Sequence, residues 1–178
     1  MRRLFQATFV LLCLACLAPP ALAFPYDSAT KAQINVKVGA VLKSFYAKVP
    51  GSQDVVSRAA GVLVFPPAGF MVGGKHGGGA LLIGDKYVDY YQTDRMVYAV
   101  RPGAANHSVV IAFMTPEALQ RFQASADWDV GADPSVAIVP PGTGKVEVSQ
   151  SPIQLFVFND QGVLGPVTLA GAKVSKVG

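Results

Sequence analysis

Past residue 23 this sequence contains no cysteine, and that absence removes several chemistries at once. Cys13 and Cys16 both lie in the apolar stretch at the start, so the remainder has no thiol for a disulfide, a zinc site or a cysteine nucleophile. Charge is scarce as well. Only 15% of residues are charged against 51% hydrophobic, a balance too apolar for a disordered chain. Histidine is limited to His76 and His107, no Gly-x-Ser-x-Gly elbow occurs, and no His-x-x-x-His pair is present. Asp127, Asp129 and Asp133 lack the ligand order of a calcium loop and read as turn formers around Trp128 and Gly131. Outside the first residues no apolar run reaches the ~18–20 residues that a spanning helix needs. The expectation is a protein that is not an enzyme, carries no metal and needs no cofactor.

The N-terminus has its own logic. Arg2 and Arg3 precede an apolar run, Leu4 to Leu17, which ends at Ala21-Leu22-Ala23, the order of a secretory signal peptide. Cleavage after Ala23 leaves 155 residues with 13 basic and 11 acidic side chains, a net charge of +2. That predicts a periplasmic or secreted protein made of one domain, residues 24–178. The competing reading is a lipoprotein acylated at Cys16 and tethered by its own lipid, although Cys13 stands where such signals usually carry Leu or Val. A surplus this weak and spread out leaves no basic footprint for nucleic acid.

From Thr30 to Val49, Ile34, Val38, Val41, Leu42, Phe45 and Val49 recur at helical spacing and fall within an arc of about 100°. Thr30 with Gln33 offers a capping box, and Pro50-Gly51 ends the helix. Its charges are Lys31, Lys37, Lys43 and Lys48, with no acid among them. A basic amphipathic helix of this kind either packs its stripe on the core or lies in a membrane interface. After a short turn of helix near 53–60 the pattern becomes β, with strands expected at 61–65, 69–73, 79–83, 86–92, 95–100, 108–114, 135–139, 145–149, 153–158, 163–169 and 172–177. Turns are expected at Gly84-Asp85, Thr93-Asp94, Asn159-Asp160-Gln161-Gly162 and Ala170-Gly171. One further helix starts at Thr115, with Pro116 in its first turn, and runs to about Ala124. In a strand, Tyr90 and Tyr91 point to opposite faces, one into the core and one outward. The fold class is therefore α+β: one β-rich domain with an antiparallel curled sheet or partial barrel, an N-terminal amphipathic helix, and a second helix near 115–124.

Eight of the 18 glycines fall between Gly61 and Gly84, with Lys75-His76 embedded among them. Neither the Walker spacing nor the dinucleotide spacing is present. Two readings stay open. Gly73, Gly74, Gly77, Gly78 and Gly79 serve a tight strand crossing that tolerates no Cβ, or their bare amides join Lys75 and His76 around a phosphate-bearing head group.

The order of motifs resembles the SYLF lipid-binding family. The resemblance is carried by Ala59-Ala60-Gly61-Val62-Leu63-Val64-Phe65-Pro66, Ala68-Gly69-Phe70-Met71-Val72-Gly73-Gly74 and Gly77-Gly78-Gly79-Ala80-Leu81-Leu82, followed by Phe113-Met114-Thr115-Pro116-Glu117-Ala118-Leu119 and Trp128-Asp129-Val130-Gly131. It runs from about Ala32 to Val177, and departs at Lys75-His76, where many relatives carry an acidic or aromatic residue. Family membership implies binding to phosphoinositide membranes in eukaryotic relatives, partly through a basic amphipathic N-terminal segment, and to actin in some fungal ones. An exported bacterial member would meet neither, so actin is an unlikely partner. The expected ligand is anionic membrane lipid of the cell envelope, met by Lys37, Lys43, Lys48, Lys75 and His76. The alternative is a structural or surface-interaction protein of the envelope that has no lipid ligand.

Overall fold

In a computed structural model of the protein, the described residues are 28–67, 71–72, 75–93, 98–99, 107–142, 145–146 and 150–177. The signal-peptide reading, Gly73 and Gly74 fall outside them. Helix α1 spans Ser28–Lys48, two residues earlier than the sequence suggests, so Thr30 lies within the first turn rather than at its cap. Helix α2 (Ser52–Arg58) follows almost at once. Gly51 makes this junction at φ 87°, a left-handed conformation that glycine adopts without a Cβ penalty. The buried Ser52 hydroxyl then donates to Phe45 O at 3.1 Å, satisfying a carbonyl in the last turn of α1. Helix α3 (Pro116–Ala124) begins as expected. Thr115 Oγ1 accepts from Ala118 N at 3.2 Å, Pro116 sits in the first turn, and Leu119 and Phe122 are buried.

The strands are β1 (Gly61–Phe65), β2 (Met71–Val72), β3 (Lys75–His76), β4 (Gly78–Ile83), β5 (Lys86–Thr93), β6 (Tyr98–Ala99), β7 (Ser108–Phe113), β8 (Asp127–Asp129), β9 (Val136–Ile138), β10 (Ile153–Asn159), β11 (Gly162–Val163), β12 (Val167–Thr168) and β13 (Lys173–Val177). Nine of them share one sheet. Eight run in the order β11-β10-β7-β1-β4-β5-β13-β8, every pair antiparallel, and β9 joins β10 in parallel. The result is the α+β, β-rich domain with a curled half-barrel sheet that the strand spacing implies.

Side-chain alternation divides this sheet into two cores. On one face Val62, Val64, Ala80, Leu82, Val110, Ala112, Phe156 and Phe158 meet the α1 stripe of Ile34, Val38, Val41, Phe45 and Val49. On the other, Leu63, Phe65, Leu81, Tyr91, Val109, Ile111, Phe113, Leu155 and Val157 meet α3 and Trp128. The central strands are consequently buried on both sides. Each fully buried aliphatic or aromatic side chain is worth roughly 1.5–3 kcal/mol relative to exposure.

Several elements differ from the sequence reading. Strand β6, the described part of the strand expected at 95–100, pairs with β12 in a separate two-stranded sheet, and 94–97 lie outside the described residues. The expected strand at 163–169 is broken into β11 and β12 around Gly165-Pro166, where proline has no amide to donate. No strand forms at 145–146, and 147–149 lie outside the described residues. The aspartates near Trp128 do more than turn the chain. Asp127–Asp129 is β8, an edge strand paired with β13, while Asp129 accepts from Ala132 N at 3.1 Å. Lys75 and His76 form β3 and pair with β2 as a hairpin, rather than sitting in a loop. Between Leu81 and Leu82 the β4–β5 register shifts. A bulge at Val88 thereby turns Tyr87 and Tyr90 toward the same core although they are three residues apart.

Candidate functional site

Because its stripe is used up against the sheet, α1 offers only its outer and lateral surfaces to a partner. At about 100° per residue, Lys37 and Lys48 project roughly 60° and 40° to one side of Ile34, and Lys43 about 180° away from it. All three are exposed. Lys31 is half-buried, with Nζ 5.3 Å from the centre of the Tyr90 ring on the opposite flank. That flank is a clamp. Tyr87 Oη donates to Asn35 O and Tyr90 Oη to Asn35 Oδ1, each at 3.0 Å, fixing the N-terminal half of α1 on β5. Burial, with Tyr90 adjacent, pushes the Tyr87 hydroxyl pKa up and keeps it a donor. Tyr90 is therefore half-buried and bonded to α1, not simply outward-facing, while Tyr91 is the core member of the pair.

The other flank of α1 borders two hollows. Lys37 lines one of about 250 Å³, together with Ser44, Pro66, Pro67, Phe158 and Asp160. Lys48 lines the second, a cleft of about 480 Å³ between the end of α1 and strands β9 and β10, shared with Lys145, Val146, Gln154 and Val163. The structure thus brings Lys37, Lys43 and Lys48 together on one helix but directs them to different sides of it. Lys75 and His76 lie on a different element from these lysines. Only the backbone of those two is described, on the β2–β3 hairpin.

The neighbouring glycines show tight geometry. Gly77 has φ 67°, and an added Cβ would lie 2.8 Å from Thr93 Cγ2. At Gly79 the backbone is extended, but a Cβ would fall 2.5 Å from Phe65 Cδ1 and 2.6 Å from Val64 O. Both positions exclude a side chain on backbone grounds.

Charge is distributed unevenly over the molecule. Helix α1 carries four lysines and no acid, whereas residues 116–138 carry Glu117, Asp127, Asp129 and Asp133 against the single base Arg121. Among the described residues no group of three His, Cys, Asp or Glu side chains could hold a metal ion. No helix of the described residues is long and apolar enough to cross a membrane.

Sequence reasoning missed Lys145, Gln154 and Asn35. Gln154 was the detectable one: a lone amide inside the run Ile153–Phe158, which is otherwise apolar. Lys145 and Asn35 acquire their roles only through contacts distant in sequence. No protein-family model matches the chain, and no curated protein matches it.

Proposed function

We propose that the protein is an exported, non-catalytic lipid-binding protein that associates peripherally with anionic membrane lipid through Lys37, Lys43 and Lys48. The observation that carries this reading is a helix, clamped on the sheet by Tyr87 and Tyr90, that carries four lysines and no acid. Such a surface attracts a negative membrane at a distance and orients the molecule on it. The resemblance to SYLF lipid-binding domains supports the same conclusion, and the N-terminal signal supports export to an envelope whose lipids supply the charge. Lys75 and His76, on the β2–β3 hairpin, stand as a second contact for a phosphate-bearing head group.

Burial of Ile34, Val38, Val41 and Phe45 determines how docking works. The apolar stripe stays in the core, so the helix lies on head groups instead of sinking between acyl chains. Of the large aliphatics on α1 only Val36 is well exposed, at 72%. Binding is then chiefly electrostatic, and must weaken as salt rises.

Co-sedimentation of residues 24–178 with neutral and anionic vesicles across salt tests this. Each lysine near an anionic surface contributes about 1 kcal/mol. Changing Lys37, Lys43 and Lys48 together to glutamine is expected to weaken anionic-vesicle binding by up to about 3 kcal/mol, roughly a hundredfold, and to leave neutral vesicles unaffected. An unchanged affinity would remove α1 from the site and turn attention to Lys75 and His76, whereas no binding of the unsubstituted protein to anionic vesicles would favour the structural, ligand-free alternative.

A further inference from the structure

At the C-terminal end of α1 the helix stops, but the sheet face beneath it continues. Phe156 and Phe158 of β10 lie under Phe45, at ring-centre distances of 5.1 and 5.0 Å. The next position of β10 on that face is Gln154, which is fully buried and sits opposite Ala137 of β9. Above it lies the cleft of about 480 Å³, with apolar walls that include Val139, Val146 and Val163 and with Lys48 and Lys145 at its margin.

Lys145 is held in place by the joint between the helices. Val146 N donates to Pro50 O at 2.7 Å, and the space where a Gly51 Cβ would stand is occupied by Val146 O and by Lys145 Cγ. Two lysines therefore line one cavity, and among its described lining residues none is acidic. The volume falls within the roughly 300–1,000 Å³ of small-molecule sites, which combine apolar walls with a few placed polar groups.

We propose that this cleft binds a single-chain amphipathic anion, an alkyl carboxylate or alkyl phosphate. The chain lies against Val139, Val146 and Val163, the anionic head meets Lys48 and Lys145, and the buried Gln154 amide supplies the polar group on the floor. A cavity of this size suits one alkyl chain and not the paired chains of a diacyl lipid. Monomeric ligand is enough, so the site operates without a membrane and goes beyond surface docking by α1.

Calorimetric titration of residues 24–178 below micelle-forming concentrations tests the proposal with dodecanoate, dodecyl phosphate, dodecyl maltoside and inorganic phosphate. Saturable binding of one dodecanoate or dodecyl phosphate per chain is expected. Inorganic phosphate should bind at least about a hundredfold more weakly because it buries no chain. Lys145→Gln should weaken both anionic amphiphiles about tenfold, leave dodecyl maltoside unchanged and leave the melt of the unliganded protein in place. Ala137→Trp should fill the cleft and abolish binding; should that variant not fold, Lys145→Gln and the head-group series decide. Inorganic phosphate binding as tightly as dodecyl phosphate, equal binding of maltoside with no effect of Lys145→Gln, or no saturable binding at all would each overturn the proposal. Vesicle sedimentation of Ala137→Trp, which keeps Lys37 and Lys43, separates the two sites. Loss of dodecanoate with vesicle binding retained marks the cleft as distinct, and dodecanoate retained in a folded Ala137→Trp would overturn the cleft proposal while leaving surface docking untouched.

Discussion

The two faces of the sheet are closed by different means. On the α3 face four aromatic rings interlock: Phe122 lies 4.7 Å from both Tyr91 and Phe113 and 5.1 Å from Trp128. The Trp128 indole donates to Asp133 Oδ2 at 2.9 Å, and Ser135 N donates to Asp133 Oδ1 at 2.9 Å, so the polar rim of that core is tied down. On the α1 face one long helix is clamped at its N-terminal half by Tyr87 and Tyr90, and its end leaves the sheet partly uncovered. Interlocked aromatics stabilise and leave little room for a ligand. A helix that runs out before the sheet does leaves both a cleft and an exposed basic surface. On the proposed function the difference divides labour: the α3 face is closed, and the α1 face keeps a surface for recognition.

The largest expected effect tests whether the α1 face is nonetheless structural. Phe45 is fully buried between Phe156 and Phe158, and Phe122 occupies the centre of the opposite cluster. Phe45→Ala and Phe122→Ala should each cost about 3–5 kcal/mol in urea denaturation. If Phe45→Ala left stability nearly unchanged while Phe122→Ala unfolded the protein, α1 would be a detachable arm. Its stripe would then be available for membrane insertion, and purely electrostatic docking would be wrong.

Next in size is the polar rim of the α3 face. Asp133→Ala should cost about 1–3 kcal/mol by leaving the buried end of Trp128 without its acceptor. The pH dependence has a definite sign. Burial raises the Asp133 pKa, but hydrogen bonds from the Ser135 hydroxyl and amide and from Trp128, with the Arg121 charge, more than offset it and hold it below the ordinary aspartate value. A carboxylate whose folded pKa is depressed contributes stability that is complete above its unfolded pKa and is lost as pH falls through the folded one. Acid titration of stability should therefore show a loss below about pH 4 that is absent in Asp133→Asn. An identical acid limb in both proteins would show that the Trp128–Asp133 contact has no ionic part.

What could be read in the sequence follows from how each part is built. The α1 stripe and the Thr115-Pro116 start of α3 are local patterns, readable from periodicity and capping chemistry. The positions of Leu119 and Phe122 come directly from them. Strand β8 was invisible because its three residues, Asp127-Trp128-Asp129, have turn composition and are held extended only by β13, more than forty residues later. The cleft is likewise assembled from the end of α1, β9, β10 and Lys145, and no spacing in the sequence brings these together. The bulge at Val88 reverses the facing of Tyr87 and, with it, the attachment of α1.

A smaller effect of opposite sign probes the interior of the α3 face. The Tyr91 hydroxyl and Thr93 Oγ1 are buried with no hydrogen-bond partner among the described residues, and burial, with Asp89 nearby, pushes the Tyr91 pKa up. Tyr91→Phe removes an unsatisfied hydroxyl and keeps the ring contact with Phe122. Stability should hold or rise by up to about 1 kcal/mol. A clear loss would mean that the hydroxyl has a partner in solution, and the α3 face would be less completely closed than its aromatic packing suggests.

The smallest expected effect is the most discriminating. Lys37, Lys43 and Lys48 are exposed, and they share a helix with no acid, so each adds to a like-charged surface. Neutralising all three to glutamine should change folding stability by no more than about 0.5 kcal/mol in either direction. That near-zero result gives meaning to the vesicle measurement: a hundredfold loss of binding in a protein with an unaltered urea midpoint locates the effect at the membrane. A loss of more than about 1 kcal/mol would instead make the lysines structural, through their packed stems beside the two hollows. Recognition and stability would then share the α1 face, and the division of labour between the two sides of the sheet would not hold.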